Sequence, residues 1–165
     1  MRRPESALPF VSSMPDAGPP LLLDTTVYID VTQRRAPSPM KDLLIRQALN
    51  HSTVALADLT HAFGRLDPAH PESRATLAGL TAVIDAMSPH RLSTPSPHAF
   101  AEAGMRAGLA ARLTGRPHTP ARLDDALLLL QAAENGWVLL TRNVRDFDVL
   151  QQLAPEGRAM LYRAV

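Results

Sequence analysis

Short, wholly apolar runs that end on a polar residue alternate along this chain with longer stretches whose apolar positions recur every three or four residues. Leu21-Leu22-Leu23 stops at Asp24, and Trp137-Val138-Leu139-Leu140-Thr141 stops at Arg142-Asn143. Runs of this kind predict buried strands that deliver polar groups at their carboxyl ends. After Asp24 the residues 25–34 read as a turn and a short helix. The helical spacing of Leu43, Leu44, Ala48 and Leu49 predicts a helix over 41–50 that stops at Asn50. A short strand is expected over 53–56, then a helix over about 57–66 carrying Asp58 in its first turn, where the helix dipole favours a carboxylate.

Further along, 72–87 reads as an amphipathic helix that turns Leu77, Leu80, Val83, Ile84 and Met87 inward. Pro89, Pro95 and Pro97 bracket a brief strand over 91–94, and 99–113 is again helical. The clearest helix covers 119–136, with Asp124 and Asp125 at its start and Gly136 as its stop. Helical spacing returns over 144–153 around Phe147, Val149 and Leu150, and 159–163 is expected to form a last edge strand. Strands alternating with helices of ten or more residues predict an α/β fold with a mainly parallel central sheet.

A chain of 165 residues holds one sizeable core rather than two. Residues 1–20 contain Pro4, Pro9, Pro15, Pro19 and Pro20 with no helical or strand period, and read as a proline-rich arm preceding a folded domain over 21–165. There is no cysteine, which excludes disulfides, zinc fingers, iron–sulfur clusters and thiol nucleophiles, and leaves oxygen or imidazole to hold any metal. No apolar run approaches the roughly 20 residues that span a bilayer, and no apolar segment follows Arg2 and Arg3, so a cytoplasmic protein without membrane contact is expected.

A formal net charge of +1 lacks the basic footprint of a structural nucleic-acid binder. The positive charge is nearly all arginine, with Lys41 the sole lysine. Arginine's planar fork suits phosphate, although a GC-rich codon bias accounts for more of this pattern. Arg106, Arg112, Arg116 and Arg122, with Arg142 and Arg145, serve either to grip RNA phosphates or to solvate helix faces. The histidines His51, His61, His70, His90, His98 and His118 include no pair with zincin spacing, and no nucleophile elbow or phosphate-cradling glycine loop can be written.

In a parallel sheet, functional groups gather outside the carboxyl ends of the strands. Four acids fall there: Asp24 after the first strand, Asp58 after the second, Asp125 opening a helix, and Asp146 beyond the strand that ends at Thr141. Each alone is explained as a turn or helix-start carboxylate; their joint placement is what points to chemistry. Two carboxylates about 5 Å apart repel by on the order of 3 kcal/mol at an effective dielectric near 20, and a hard divalent cation offsets that cost. A cation so held activates water and steadies charge on a phosphodiester. The spacing leaves Asp124 against Asp125, and Asp148 against Asp146, open.

The stretches Leu22-Leu23-Asp24-Thr25-Thr26-Val27, Val54-Ala55-Leu56-Ala57-Asp58-Leu59, Asp125-Ala126-Leu127-Leu128 through Ala133-Glu134-Asn135-Gly136, and Thr141-Arg142-Asn143-Val144-Arg145-Asp146-Phe147 resemble, in order, the four acidic motifs of PIN-domain ribonucleases, and most closely those of VapC-like toxins of bacterial toxin–antitoxin pairs. The resemblance covers residues 21 to 163. It implies a three-layer α/β/α PIN-like fold and a magnesium- or manganese-dependent endoribonuclease acting on structured RNA such as tRNA or rRNA. It further implies inhibition by a cognate antitoxin, and homodimerisation. Carried over by position, Asp24, Asp58, Asp125 and Asp146 are site acids, Asp24, Asp125 and Asp146 hold the metal, Asn143 orients, and Thr25 or Thr26 gives polar support.

Two positions depart from the pattern. The second acid is typically glutamate, so the shorter Asp58 reaches a metal through water or more weakly. Leu127 to Leu130 stand where small residues are common. The rival reading is a catalytically silent module of the same fold that binds RNA or a protein. A haloacid-dehalogenase-like phosphatase also starts from an aspartate after an apolar strand, but it needs a second aspartate two positions later, where Thr26 stands.

Overall fold

The computed structural model describes residues 2–11, 18–117 and 119–165; His118 and residues 12–17 of the arm lie outside them. Five parallel strands form one sheet: β1 (Leu21–Leu23), β2 (Leu49–Ser52), β3 (Leu92–Ser93), β4 (Val138–Thr141) and β5 (Ala159–Leu161), in the order β3-β2-β1-β4-β5. Among the described residues, seven α-helices connect them: α1 (Thr25–Thr32), α2 (Ser38–Arg46), α3 (Thr53–Arg65), α4 (Pro71–Asp85), α5 (Pro97–Thr114), α6 (Pro120–Glu134) and α7 (Val144–Leu153). From β1 the chain steps outward through β2 to β3, then returns past β1 to β4 and β5. Because parallel crossovers are right-handed, that reversal puts α1 to α4 on one face and α5 to α7 on the other, giving three layers.

Register and burial follow from the strand sequences. β1 and β4 are buried at every position, as continuous apolar runs in the middle of a covered parallel sheet should be. α6 is buried nearly all round from Ala126 to Ala132, which explains its four consecutive leucines: it packs against α5, α7, α3 and the strands β1 and β4 at once. Gly136 takes φ +69° just after α6, a left-handed conformation that suits glycine and closes the helix where the sequence places its stop.

The fold departs most from the expected pattern around β2. The strand expected over 53–56 lies four residues earlier, at Leu49–Ser52, and Thr53 already opens α3. Only Leu49 in that strand is an apolar side chain, so no hydrophobic run marks it; buried Asn50 instead donates to the Leu21 carbonyl at 3.3 Å. The Ser52 hydroxyl accepts from the Val54 N–H at 3.1 Å, an N-cap that overrides the β-leaning Thr53-Val54 pair. Two expectations therefore shift: α2 ends at Arg46 rather than Asn50, and Asp58 lies in the second turn of α3 rather than its first. Asp125 likewise falls in the second turn of α6, which starts at Pro120, one residue from the expected 119, rather than at the start of the helix.

The described part of the arm is not free of the domain. A single 3-10 turn at Glu5–Ala7 leads to Phe10, which bridges Leu161 in parallel, with the Leu161 N–H donating to the Pro9 carbonyl at 2.8 Å. Beyond it, Gly157 turns the chain into β5, and a Cβ there would stand 2.6 Å from Cγ of buried Leu129. Gly157→Ala is expected to destabilise the fold by about 1–3 kcal/mol through overpacking, read as a lower midpoint in urea with an unchanged slope.

Candidate metal centre at the topological switch

The chain reverses direction across the sheet between β1 and β4, and in open α/β sheets that switch point opens a crevice at the carboxyl ends. Asp24 stands there as the N-cap residue of α1, almost fully buried. Its backbone N–H donates to the Leu140 carbonyl at 3.1 Å, tying β1 to β4. Its carboxylate accepts the Thr26 hydroxyl at 2.6 Å and the Thr141 hydroxyl at 2.5 Å. Burial nevertheless dominates and raises its pKa above the ordinary carboxylate value, with Asp58 adding repulsion.

Asp125 reaches the same crevice from α6. The Asn143 amide donates to it at 2.9 Å, and the Asn143 carbonyl oxygen caps α7 by accepting the Asp146 N–H at 3.3 Å. Desolvation, then the charges of Asp24, Asp146, Asp124 and Asp58 in falling order, push its pKa up to about 8. Asp125 is thus the group on which all the other acids act. Asp58 approaches from α3, more exposed, and accepts the Thr25 hydroxyl at 3.1 Å; burial and little else raises its pKa. Asp124 stands beside Asp58, which raises its pKa after burial does.

The geometry separates the two alternatives left open by spacing. Asp125, not Asp124, is the more buried, Asn143-bound acid. Asp148 faces away from the crevice: it is buried against the arm, where Arg3 donates to it from Nε at 2.6 Å and from its backbone N–H at 3.0 Å. Asp146 faces the crevice, but Arg116 donates to it at 2.9 Å, and Arg122 lies 4.0 Å away. Arg122 also donates to the Pro117 carbonyl at 2.9 Å, fixing the loop that presents Arg116. Of the other arginines considered, Arg106 is committed to Glu102 and Glu156.

One buried support escaped the sequence reading. Asp30, six residues after Asp24 on α1, is wholly buried and holds Arg35 at 2.9 Å, Arg142 at 3.1 Å and the donating Tyr162 hydroxyl at 2.9 Å. Arg34, with φ +57°, turns the chain so that Arg35 can reach back. The Arg142 backbone N–H in turn donates to Thr26 at 3.2 Å. Asp30 therefore fixes the loop after β4 to α1, and with it the Thr141 and Asn143 groups that bind Asp24 and Asp125. The one available signal was an acid set among the apolar side chains of Tyr28, Ile29 and Val31.

Among the described residues, no three His, Asp or Glu side chains are grouped tightly enough to hold a metal ion by themselves. The donor set still suits a hard cation: it is all carboxylate oxygen, it repels itself, and magnesium takes one or two carboxylates with water filling the remaining positions.

No family model matches the chain, and no curated relative does. Solved structures do. The fold is similar to a chain of VapBC2 from Rickettsia felis, bound in that crystal to a DNA fragment from its promoter, with a TM-score of 0.60 and 14% identity over 87% of this chain and 98% of that one. It is similar to a chain of DNA-bound VapBC from Salmonella typhimurium (TM-score 0.58, 21% identity, 86% and 97% covered). It is also similar to one of VapBC-5 from Mycobacterium tuberculosis, a member of the VapBC family of toxin–antitoxin systems (0.57, 22%, 90% and 100%). The architecture is the three-layer PIN-like fold that the motifs imply.

Proposed function

We propose that the protein is a metal-dependent endoribonuclease, the toxin of a toxin–antitoxin pair. The observation that carries this reading is the crowding of Asp24, Asp58, Asp125 and Asp146 at the switch point, with Asp125 driven up to about 8. Acids are placed together at such a cost when a cation or a proton is to be bound there. Asp24, Asp125 and Asp146 would hold Mg²⁺ or Mn²⁺ between them, not all directly but in part through water, as Asp58 would. When bound, the cation would supply an activated water and charge stabilisation on a phosphodiester.

The chain's own groups divide the remaining work. Thr26 and Thr141 aim Asp24 by donating to it and favour its ionised form against the burial that raises its pKa. Asn143 holds Asp125 with its amide while its carbonyl caps α7 and sets the position of Asp146. Arg116 pairs with Asp146 and, with a cation bound there, would be placed to take a phosphate oxygen at the mouth of the crevice. A small antitoxin covering that mouth, and a homodimer, complete the reading by analogy with the VapBC complexes. The substrate class is structured RNA, tRNA or rRNA.

A second reading, a silent PIN-fold module that binds RNA or a protein, draws on the Arg116–Asp146 ion pair, which occupies one acid already. Purified protein incubated with total cellular RNA separates the two. The nuclease gives discrete fragments with magnesium or manganese, none with chelator, and at least a hundredfold fewer in Asp24→Asn. RNA left intact in every condition by well-folded, antitoxin-free protein would favour the module.

A further inference from the structure

The cavity of about 440 Å³ between α5 and α6 is lined by Glu102, Glu134 and Glu156 and would repel a phosphate. A second cavity, of about 390 Å³, has the opposite character. The arm forms one wall, the first turn of α7 another, and the chain just after β5 a third. Arg2, Arg3, Arg145 and Arg163 line it, against only two acids, Glu5 and Asp148. Those acids are spoken for: Asp148 by Arg3 at 2.6 Å, and Glu5 by Arg163 at 2.6 Å. Among the described residues, Arg2 and Arg145 pair with no carboxylate, so the cavity keeps two uncompensated guanidinium groups in a protein whose net charge is +1.

Its position gives the charge a meaning. Arg163 follows the carboxyl end of β5, and Arg145 immediately precedes Asp146 on α7, turned about 100° from it around the helix. The arginines therefore stand at the same end of the sheet as the acids. β5 is two strands from β1, a lateral offset of about 10 Å, a short step along a nucleic-acid strand. Guanidinium forks bind phosphate oxygens in a bidentate manner. Buried Asp148, with Gln151, holds Arg3 in place, so that part of the wall is organised before any ligand arrives, while the Glu5–Arg163 pair is exposed to solvent.

We propose that this cavity is a second anion subsite, holding a backbone phosphate of the RNA whose scissile bond lies over the acids. The proposal rests on the nuclease reading for the identity of the strand. It gives the arm a role in substrate grip, since Arg2 and Arg3 belong to the segment that lies outside the motif resemblance.

The test uses a fluorescein-labelled single-stranded oligouridine titrated against the full chain carrying Asp24→Asn, with and without Arg2→Ala and Arg145→Ala together. Arg74→Ala, on the exposed face of α4, serves as a control. Expected are a roughly 5- to 50-fold loss of affinity in the double variant and a salt slope shallower by about 0.7 for each phosphate no longer neutralised, with the control unchanged. In the chain with its acids intact, the double variant should raise KM for RNA and leave kcat in place. Equal affinities for the double variant and its parent, or an equal loss in the control, would overturn the subsite while leaving the nuclease reading intact. Arginine-dependent binding without cleavage of total RNA would support the subsite and remove the nuclease; no binding by any form would overturn the subsite and leave the nuclease reading to the RNA-cleavage assay.

Discussion

Asp125→Asn is expected to abolish metal-dependent cleavage and, at the same time, to make the metal-free protein more stable. The carboxyl of Asp125 carries a folded-state pKa near 8 against 3.8 for the free group, so the folded chain holds a proton there that the unfolded chain has released. Linkage fixes the sign: stability from this group is full below about pH 3.8 and falls as pH rises towards 8. Asparagine keeps the contact with Asn143 and removes the charge that Asp24, Asp146, Asp124 and Asp58 oppose. A gain of about 1–3 kcal/mol near pH 8, or about 3–8 °C in Tm, is the expected size. Magnesium should raise the Tm of the parent protein at that pH and leave the variant unmoved. Thermal melts at pH 5 and pH 8, with magnesium and with chelator, decide the matter. A variant less stable than its parent at both values would mean that Asp125 is a structural carboxylate.

Asp30→Asn is expected to be the most damaging single substitution outside the strands. Two arginines and a tyrosine hydroxyl converge on this buried carboxylate, and removing the charge leaves partly covered guanidinium groups without their counterion. A loss of about 2–4 kcal/mol follows from the usual cost of breaking such a group from one side. Because Arg142 also binds Thr26 through its backbone, cleavage should fall further than stability explains when both are measured well below the melting temperature. A stability loss alone, with kcat preserved in the folded fraction, would confine Asp30 to a structural role.

How much of this was legible in the sequence differs by element. β1 and β4 were readable because their apolar runs are unbroken and end on polar residues in a fully covered sheet, and α7 because Phe147, Val149 and Leu150 keep helical spacing. The parallel α/β class and the positions of Asp24 and Asp146 followed from those three. β2 was not readable: its only apolar side chain is Leu49, and its buried polar groups are satisfied by Asn50 and Ser52 hydrogen bonds that no periodicity reports. That error moved Asp58 by a full turn within its helix. The ring of groups around the acids was hidden for another reason. Thr141, Arg116 and Asp30 touch their partners across separations of 117, 30 and more than a hundred residues, and only the topology brings them together. The metal itself, like the RNA, was inferred from charge and resemblance at both levels.

The strand order also sets a timetable. β1 precedes every other strand and lies in the centre of the sheet, but half of its hydrogen-bonding partners, and two of the acids that face Asp24, arrive only with α6, β4 and α7. The arm waits longer still, for its bridge to Leu161. On the ribosome the crevice is therefore open and unassembled until α7 has emerged. If the protein is the nuclease proposed above, a growing copy carries its acids apart and is harmless to the RNA around it.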